Sequence, residues 1–301
     1  MITQNEKARI RVGVAGWYYP DWQGIVYPPS DNRAADHLRY LAGFVDVIEI
    51  NNTFYRPPDP DDVLNWCQRV RDIQDFSFTV KLWQRFTHSR EDHWQPSELT
   101  DFLSRIRPIF QSGLGRALLA QFPHSFHMTS ENLTYLRELV RRIENIPLVA
   151  EVRHFSWNNP EAFAALDEMG ANLCSIDQPL FRGSLKPLDR IVGDIAYIRL
   201  HGRNKENWFR EAAGRDERYD YLYTERELAP WIARAQKMAE KAQSVYVIAN
   251  NHFRGQAVCN ALMFKAALLG KRVRAPAVLL QSFPALKALA DPDAPMQEML
   301  L

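Results

Sequence analysis

Eight short runs rich in β-branched and aromatic residues punctuate the chain, at 9–17, 45–55, 76–83, 117–123, 148–154, 171–178, 195–202 and 244–251. Each has the length and composition of a buried strand. Between most of them the sequence carries helical punctuation. In NNPEAFAALDEMG, Asn159 can cap, Pro160 suits the first helical position and Gly170 can end the helix. Asp59-Pro60 opens DPDDVLNWCQRVR in the same way, and Thr224-x-x-Glu227 is a capping box ahead of LAPWIARAQKMAEKA. Eight strand–helix alternations predict an α/β fold, a single (β/α)8 TIM barrel with outer helices. No Pro/Gly/Ser-rich linker divides the chain, so the expected organisation is a flexible N-terminus at 1–8, a barrel at 9–271 and a tail at 272–301. Prolines alternate with apolar residues in that tail, which is expected to pack on the barrel exterior or on a partner. Two connections are longer than a barrel needs, 84–116 with His93 and Trp94, and 203–243 with Trp208, Tyr219, Tyr221 and Tyr223. Long connections after strands are where lids and binding loops sit.

Composition narrows the function classes. With 301 residues, 46% hydrophobic and 24% charged, the chain is an ordinary globular protein, and (β/α) barrels reach this size as one domain. Lys and Arg number 37 against 36 Asp and Glu, a net charge of +1 that disfavours a nucleic-acid partner. No uncharged apolar run approaches the roughly 20 residues that span a bilayer, so no membrane partner is expected. The N-terminal MITQNEKARI lacks the apolar centre of a secretory signal. Cys67, Cys174 and Cys259 share no CxxC spacing and cannot all pair, which points to a cytoplasmic location. The Asn-x-Thr matches at Asn51 and Asn132 then carry no meaning as glycan sites.

Side chains on a strand alternate with period two, one parity facing the helices and the other the barrel interior. Apolar Ile198 and Leu200 belong to the outer face, leaving Tyr197, Arg199 and His201 inside. The same test puts Glu49, Asn51 and Thr53 inside on the second strand, Thr79 and Lys81 on the third and Gln121 on the fourth. The fifth contributes Glu151 and Arg153, and the sixth Asp177 with Ser175 below it. The eighth ends in Asn250-Asn251, where parity leaves open which one points in. These polar groups converge at the C-terminal ends of the strands, the catalytic face of a TIM barrel.

The ionisable set balances itself, Glu49, Glu151 and Asp177 against Lys81, Arg153 and Arg199, with His201 able to go either way. A purely structural salt-bridge lattice is the plain alternative, although buried ion pairs seldom improve on apolar packing. The functional reading is a cleft for a small anionic ligand, clamped by Arg153, Arg199 and Arg203. A carboxylate, Glu49 or Glu151, or His201 would then move protons. A divalent metal held by Glu49, Glu151, Asp177 and His201 is a weaker candidate, because three cations share the layer and no spaced ligand pair exists. No cofactor is predicted. Lys81 as a Schiff-base lysine is weaker still if an ion pair with Glu49 or Glu151 holds it protonated. The loops HGRNKENW and NNHFRGQAV bring Arg203, Lys205, Arg254 and Gly255 to the position where barrels bind phosphate, the second running into a helix N-terminus. Among the aromatics of the rim, Trp17 and Tyr55 lie nearest the strand ends and are the candidates for stacking on a ligand. His88, His154 and His252 read as loop hydrogen-bonders, and no base accompanies Ser175 or the cysteines.

The runs GVAGWYYPDW (13–22), IEINNTFYRPP (48–58), AEVRHFSW (150–157), YIRLHGR (197–203) and NNHFRGQAVCNA (250–261) resemble the YecE-like family, in order over roughly residues 10–270. The resemblance implies a closed TIM barrel and a pocket, and supplies no reaction. It carries over onto Trp17, Glu49, Asn51, Thr53, Tyr55, Lys81, Gln121, Glu151, Arg153, His201, Arg203, Asn251 and Gly255. Asn52 stands where the family commonly has Ser; by parity it faces outward, away from the pocket. Ala249 stands where the family commonly has an aromatic. The expected function is an enzyme acting on a small anionic, phosphorylated or sugar-like metabolite. In it Glu49 or Glu151 is the general acid/base, Lys81 and His201 stabilise negative charge, and Arg153, Arg199 and Arg203 bind the anion. Asp177 completes the ionisable set; Trp17, Asn51, Tyr55, Gln121, Asn251, Arg254 and Gly255 complete the binding surface. The alternatives are a metal-dependent phosphodiester hydrolase and a non-catalytic ligand- or partner-binding barrel. The oligomeric state stays open.

Overall fold

A computed structural model describes residues 8–29, 36–89, 94–208, 210 and 215–293. Eight strands form a closed parallel barrel in sequential order: β1 (Ile10–Ala15), β2 (Val47–Ile50), β3 (Ser77–Lys81), β4 (Gly115–Gln121), β5 (Leu148–Glu151), β6 (Asn172–Asp177), β7 (Ile195–Leu200) and β8 (Ser244–Ala249). Helices α1 (His37–Ala42), α2 (Pro60–Val70), α3 (Pro96–Gln111), α4 (Ser130–Arg142) and α5 (Pro160–Glu168) follow the first five strands. After β7 come two single-turn helices, α6 (Lys205–Trp208) and α7 (Arg215–Arg218), and then α8 (Glu225–Met238); α9 (Gln256–Leu269) follows β8. Asn159 caps α5 through the Ala162 N–H, and Thr224 and Glu227 form the reciprocal box at the start of α8. The flexible segment expected at the N-terminus falls, apart from residue 8, outside the described residues, as do His93 and residues 294–301 of the tail.

No helix follows β6; residues 178–194 run as an irregular connection. That absence inverts the expected parity of one strand. Cys174 and Ile176 belong to the inner cluster, so Ser175 and Asp177 face outward. The Ser175 hydroxyl donates to the Leu188 carbonyl and accepts from its N–H, both at 3.1 Å, tying the connection to the strand. A strand backed by polar loop backbone rather than an apolar helix tolerates polar residues on its outer face, and the pattern of polarity then misleads.

Below the polar layer the barrel is filled with small and branched side chains, among them Ala15, Val47, Ala117, Leu119, Val149 and Ile248. Residues 273–293 close the outside: β9 (Val273–Pro276) and β10 (Ala290–Asp293) pair in parallel, α10 (Ala277–Ser282) lies between them, and Leu279 and Leu286 are fully buried in the outer core. Gly13 of β1 is pressed against its neighbour. A Cβ there would stand 1.7 Å from the Val47 carbonyl oxygen, which is backbone and cannot step aside. Gly13→Ala is expected to cost at least about 3 kcal/mol, the upper end of overpacking penalties, as read by urea unfolding.

Candidate active site

Arg199 of β7 stands at the centre of the barrel's C-terminal mouth with no solvent exposure. Its Nη2 donates to Glu49 Oε1 of β2 at 2.7 Å, and its Nη1 donates to Glu151 Oε2 of β5 at 2.5 Å and to Gln121 Oε1 of β4 at 3.0 Å. The second oxygen of each carboxylate is also engaged. Glu49 Oε2 accepts from the Tyr197 hydroxyl at 2.9 Å, itself 2.7 Å from Thr79 Oγ1 of β3. Glu151 Oε1 accepts from Arg153 Nε and Nη2 at 3.0 and 2.7 Å. His201 Nε2 lies 3.3 Å from that same oxygen, and Asn250 Nδ2 sits 3.0 Å from His201 Nδ1. An amide donating to Nδ1 leaves the ring proton on Nε2, on the side of Glu151.

Burial pushes the Glu151 carboxyl up, but Arg199, His201 and Arg153 outweigh it and hold it well below the ordinary carboxylate range. Burial drives His201 down to about 3 despite the pull of Glu151, so the imidazole is neutral. Lys81 differs from all of these. It is 7% exposed, and its Nζ stands 3.9 Å from the centroid of the Phe54 ring. Among the described residues no carboxylate comes within ion-pair distance of it. Burial and then the Arg199 charge lower its pKa to about 7, against a partial offset from Glu49 and Glu151.

Other predicted residues lie elsewhere. Asp177 turns away from the mouth and accepts from Arg203 Nε at 2.9 Å and from Trp231 Nε1 of α8 at 3.1 Å. Arg203 is thereby occupied as a strap to α8, and it approaches Glu227 as well. Asn250, not Asn251, faces the mouth; Asn251 donates to the Tyr221 carbonyl and to Asn260 Oδ1 at 2.7 and 2.8 Å, tying the loop to α9. Arg254 is exposed with φ of 50°, and its N–H is taken by Asp21. Gly255 packs against Ile25 and Val26, with φ of 76°, so that edge of α9 is closed by apolar contact rather than open as an anion cradle. Trp17, Asn51 and Tyr55 line a rim cavity of about 360 Å³ beside the mouth, together with Asn52. Asn52, expected outward, reaches this cavity because the chain leaves β2 in a 3₁₀ turn, where period two lapses. Asn51 Oδ1 is buried there without a hydrogen-bond partner among the described residues. Gln178, overlooked in the sequence, is the first residue past β6; it is 3% exposed and its Nε2 has no partner among the described residues. Phe54, which sets the environment of Lys81, was legible only as part of a run of aromatics.

The family model "Protein of unknown function DUF72" matches residues 11–284. The chain belongs to the DUF72 family. The UPF0759 protein YunF of Bacillus subtilis is 28% identical over 266 residues, 83% of this chain and 92% of that protein. The UPF0759 protein YecE of Escherichia coli K12 is 27% identical over 100 residues, a segment covering 33% of each chain. The crystal structure of a DUF72 protein from Thermotoga maritima superposes with a TM-score of 0.78 at 33% identity, covering 86% of this chain and 99% of that one. A DUF72 protein from Enterococcus faecalis gives 0.76 at 24%, covering 87% and 96%. Among the described residues of this DUF72 chain, no helix is long and apolar enough to cross a membrane, and no group of three or more His, Cys, Asp or Glu is arranged to hold a metal ion.

Two outcomes follow from this geometry. Arg199→Met leaves Glu49 and Glu151 buried without their shared partner and is expected to cost about 3–5 kcal/mol by chemical unfolding. Both Glu151 and His201 have folded pKa values below their unfolded ones, so the unfolded chain binds more protons as pH falls. Their contribution is present above about pH 6.5 and declines with acidification, first through His201 and then through Glu151. A Tm profile from pH 7 to pH 4 should fall, and less steeply in His201→Gln.

Proposed function

We propose that this DUF72 protein is an enzyme that binds a small anionic metabolite over Lys81 and Arg153 and moves a proton with the Lys81 amine. The carrying observation is the unspent charge of Lys81: Glu49, Glu151, Arg153 and Arg199 are paired with one another at 2.5–2.7 Å, while the Lys81 ammonium stands over the Phe54 ring with no carboxylate within ion-pair distance among the described residues. An amine with a pKa of about 7 is half protonated at neutral pH, the condition in which a group both accepts and returns protons efficiently. Arg153 spends Nε and Nη2 on Glu151 and is part-buried at the edge of the mouth, so its remaining donors are placed for a carboxylate or phosphate oxygen.

This changes the roles assigned from sequence. Glu49 and Glu151 are each held at both oxygens and act as the frame that fixes Arg199 and Arg153, rather than as proton carriers. Neutral His201, held at Nδ1 by Asn250, stands with Nε2 3.3 Å from Glu151 Oε1 at the edge of that frame. The side-chain Oδ1 of Asn51, buried at the rim cavity with no partner among the described residues, would read a polar part of the ligand. The metal-dependent hydrolase loses its ligand set, since Asp177 faces α8 and both glutamates are committed to arginine.

Thermal shift against small carboxylates and phosphorylated metabolites tests the reading. A ligand at about 100 times its dissociation constant stabilises the fold by about 2.7 kcal/mol. That gain should vanish in Lys81→Met and in Arg153→Met. With the ligand's reaction in hand, the rate should inflect near pH 7, and Lys81→Arg, which keeps charge but cannot deprotonate, should bind while turning over at least 100-fold more slowly. A ligand that stabilises Lys81→Met as well as the unaltered chain would refute the assignment. Free protein carries a second signature. The Lys81 pKa is lower folded than unfolded, so the unfolded state holds the extra proton between about pH 7 and pH 10.5, and stability rises with pH across that window. Lys81→Met should flatten this rise.

A further inference from the structure

The opposite, N-terminal mouth of the barrel holds a second cluster of cations that the reading above does not use. A cavity of about 740 Å³ opens there, lined by Arg11 of β1, Arg116 of β4, Asn172, Asp167, Asp194 and Tyr246. Arg11 pairs in register with Tyr246, whose ring lies in the inner cluster, and its guanidinium carbon stands 5.9 Å from that ring's centroid. Arg116 arrives by a different device. Between Phe78↔Gly115 and Val80↔Leu118 the β3–β4 ladder advances two residues on one strand and three on the other, a β-bulge. Gly115 sits against Phe110 of α3 and Ala117 belongs to the inner cluster, so the extra residue lets Arg116 turn into the mouth. Bulges re-aim side chains in this way.

Neither guanidinium forms a hydrogen bond or an ion pair within the described residues, and Nε of each is buried with no partner. An unmet buried donor on a cation costs more than an ordinary lost hydrogen bond, and two like charges in one cavity add repulsion. Asp167 and Asp194 also line the cavity, but both are exposed, and Asp167 Oδ1 accepts from the Gly193 N–H at 3.2 Å. Asn172 is spent on the Leu148 carbonyl and the Ile195 N–H. The cavity thus has cations at its floor and acids at its outer edge.

We propose that the N-terminal mouth is a second ligand site, which takes the phosphoryl group of a small phosphorylated molecule between Arg11 and Arg116. Planar guanidinium forks match phosphate oxygens, and the outer carboxylates accept from hydroxyl or amino groups on the rest of the ligand. The volume lies within the range of small-molecule sites. The proposal stands apart from the function assigned to the C-terminal mouth. Its test therefore uses the Lys81→Met/Arg153→Met protein, in which the upper cations are gone and the lower mouth is intact. Isothermal titration with inorganic phosphate should show saturable binding, weakened at least tenfold when Arg11→Met and Arg116→Met are added. Crystals of the unaltered chain soaked with tungstate should show an anomalous peak within hydrogen-bond reach of both guanidiniums, a readout that does not depend on any variant folding. Phosphate binding indifferent to the two added substitutions, or tungstate absent from the lower mouth at saturation, overturns the proposal.

Discussion

A guanidinium shut away from water dictates the upper half of this barrel. Arg199 can be ionised there only because Glu49, Glu151 and Gln121 converge on it from three other strands. Such a lattice adds little net stability relative to apolar packing, since desolvation offsets the Coulomb gain. What it imposes is arrangement. A slip of one residue in β2, β5 or β7 would carry a charge from the interior to the helix layer, so the lattice excludes neighbouring registers as effectively as the apolar layers beneath it.

Neutralisation within the lattice is what makes Lys81 distinctive. With both glutamates drawn to arginine, burial and the Arg199 charge outweigh the pull of Glu49 and Glu151 at the amine and favour its neutral form. The same geometry strips His201 of a charge role, since the ring is held by Asn250 and turned toward a carboxylate already satisfied by two arginines. A charge count alone would have credited all these ions with function; the distances divide them into a frame and one group left over.

The strands and most helices were legible because parallel barrels print two signals in a chain, apolar runs at strand length and capped amphipathic segments between them. Glu49, Lys81, Glu151, Arg199 and His201 could be placed on one face because Ile48, Ile50, Ala150, Ile198 and Leu200 mark the other. The failures share a cause. Asp177, Ser175 and Asn52 depart from period two where its premise lapses, on a strand with no helix behind it and past the last ladder bond, and Asn251, which only the resemblance assigns to the pocket, turns to α9. Gly255 was read for phosphate because a glycine before a helix suits an anion, whereas here its missing side chain admits Val26. The pairing of charges lay beyond any reading of sequence, because it depends on which strands stand across the barrel from one another.

Helix α9 is apolar nearly all the way round, with residues from Ala257 to Phe264 all buried. One side meets the barrel; part of the other is covered by the 273–293 segment, including Leu279 and Leu286. Chain order therefore matters during synthesis. When β8 and α9 have left the ribosome, the ring can close while a greasy helical flank still faces solvent or a chaperone. That flank is sealed only when the following segment emerges, about one to four seconds later at ordinary translation rates. The small outer sheet is thus a latch on biogenesis as well as a piece of architecture, and a stalled ribosome at that point would release a barrel that is sticky on one side.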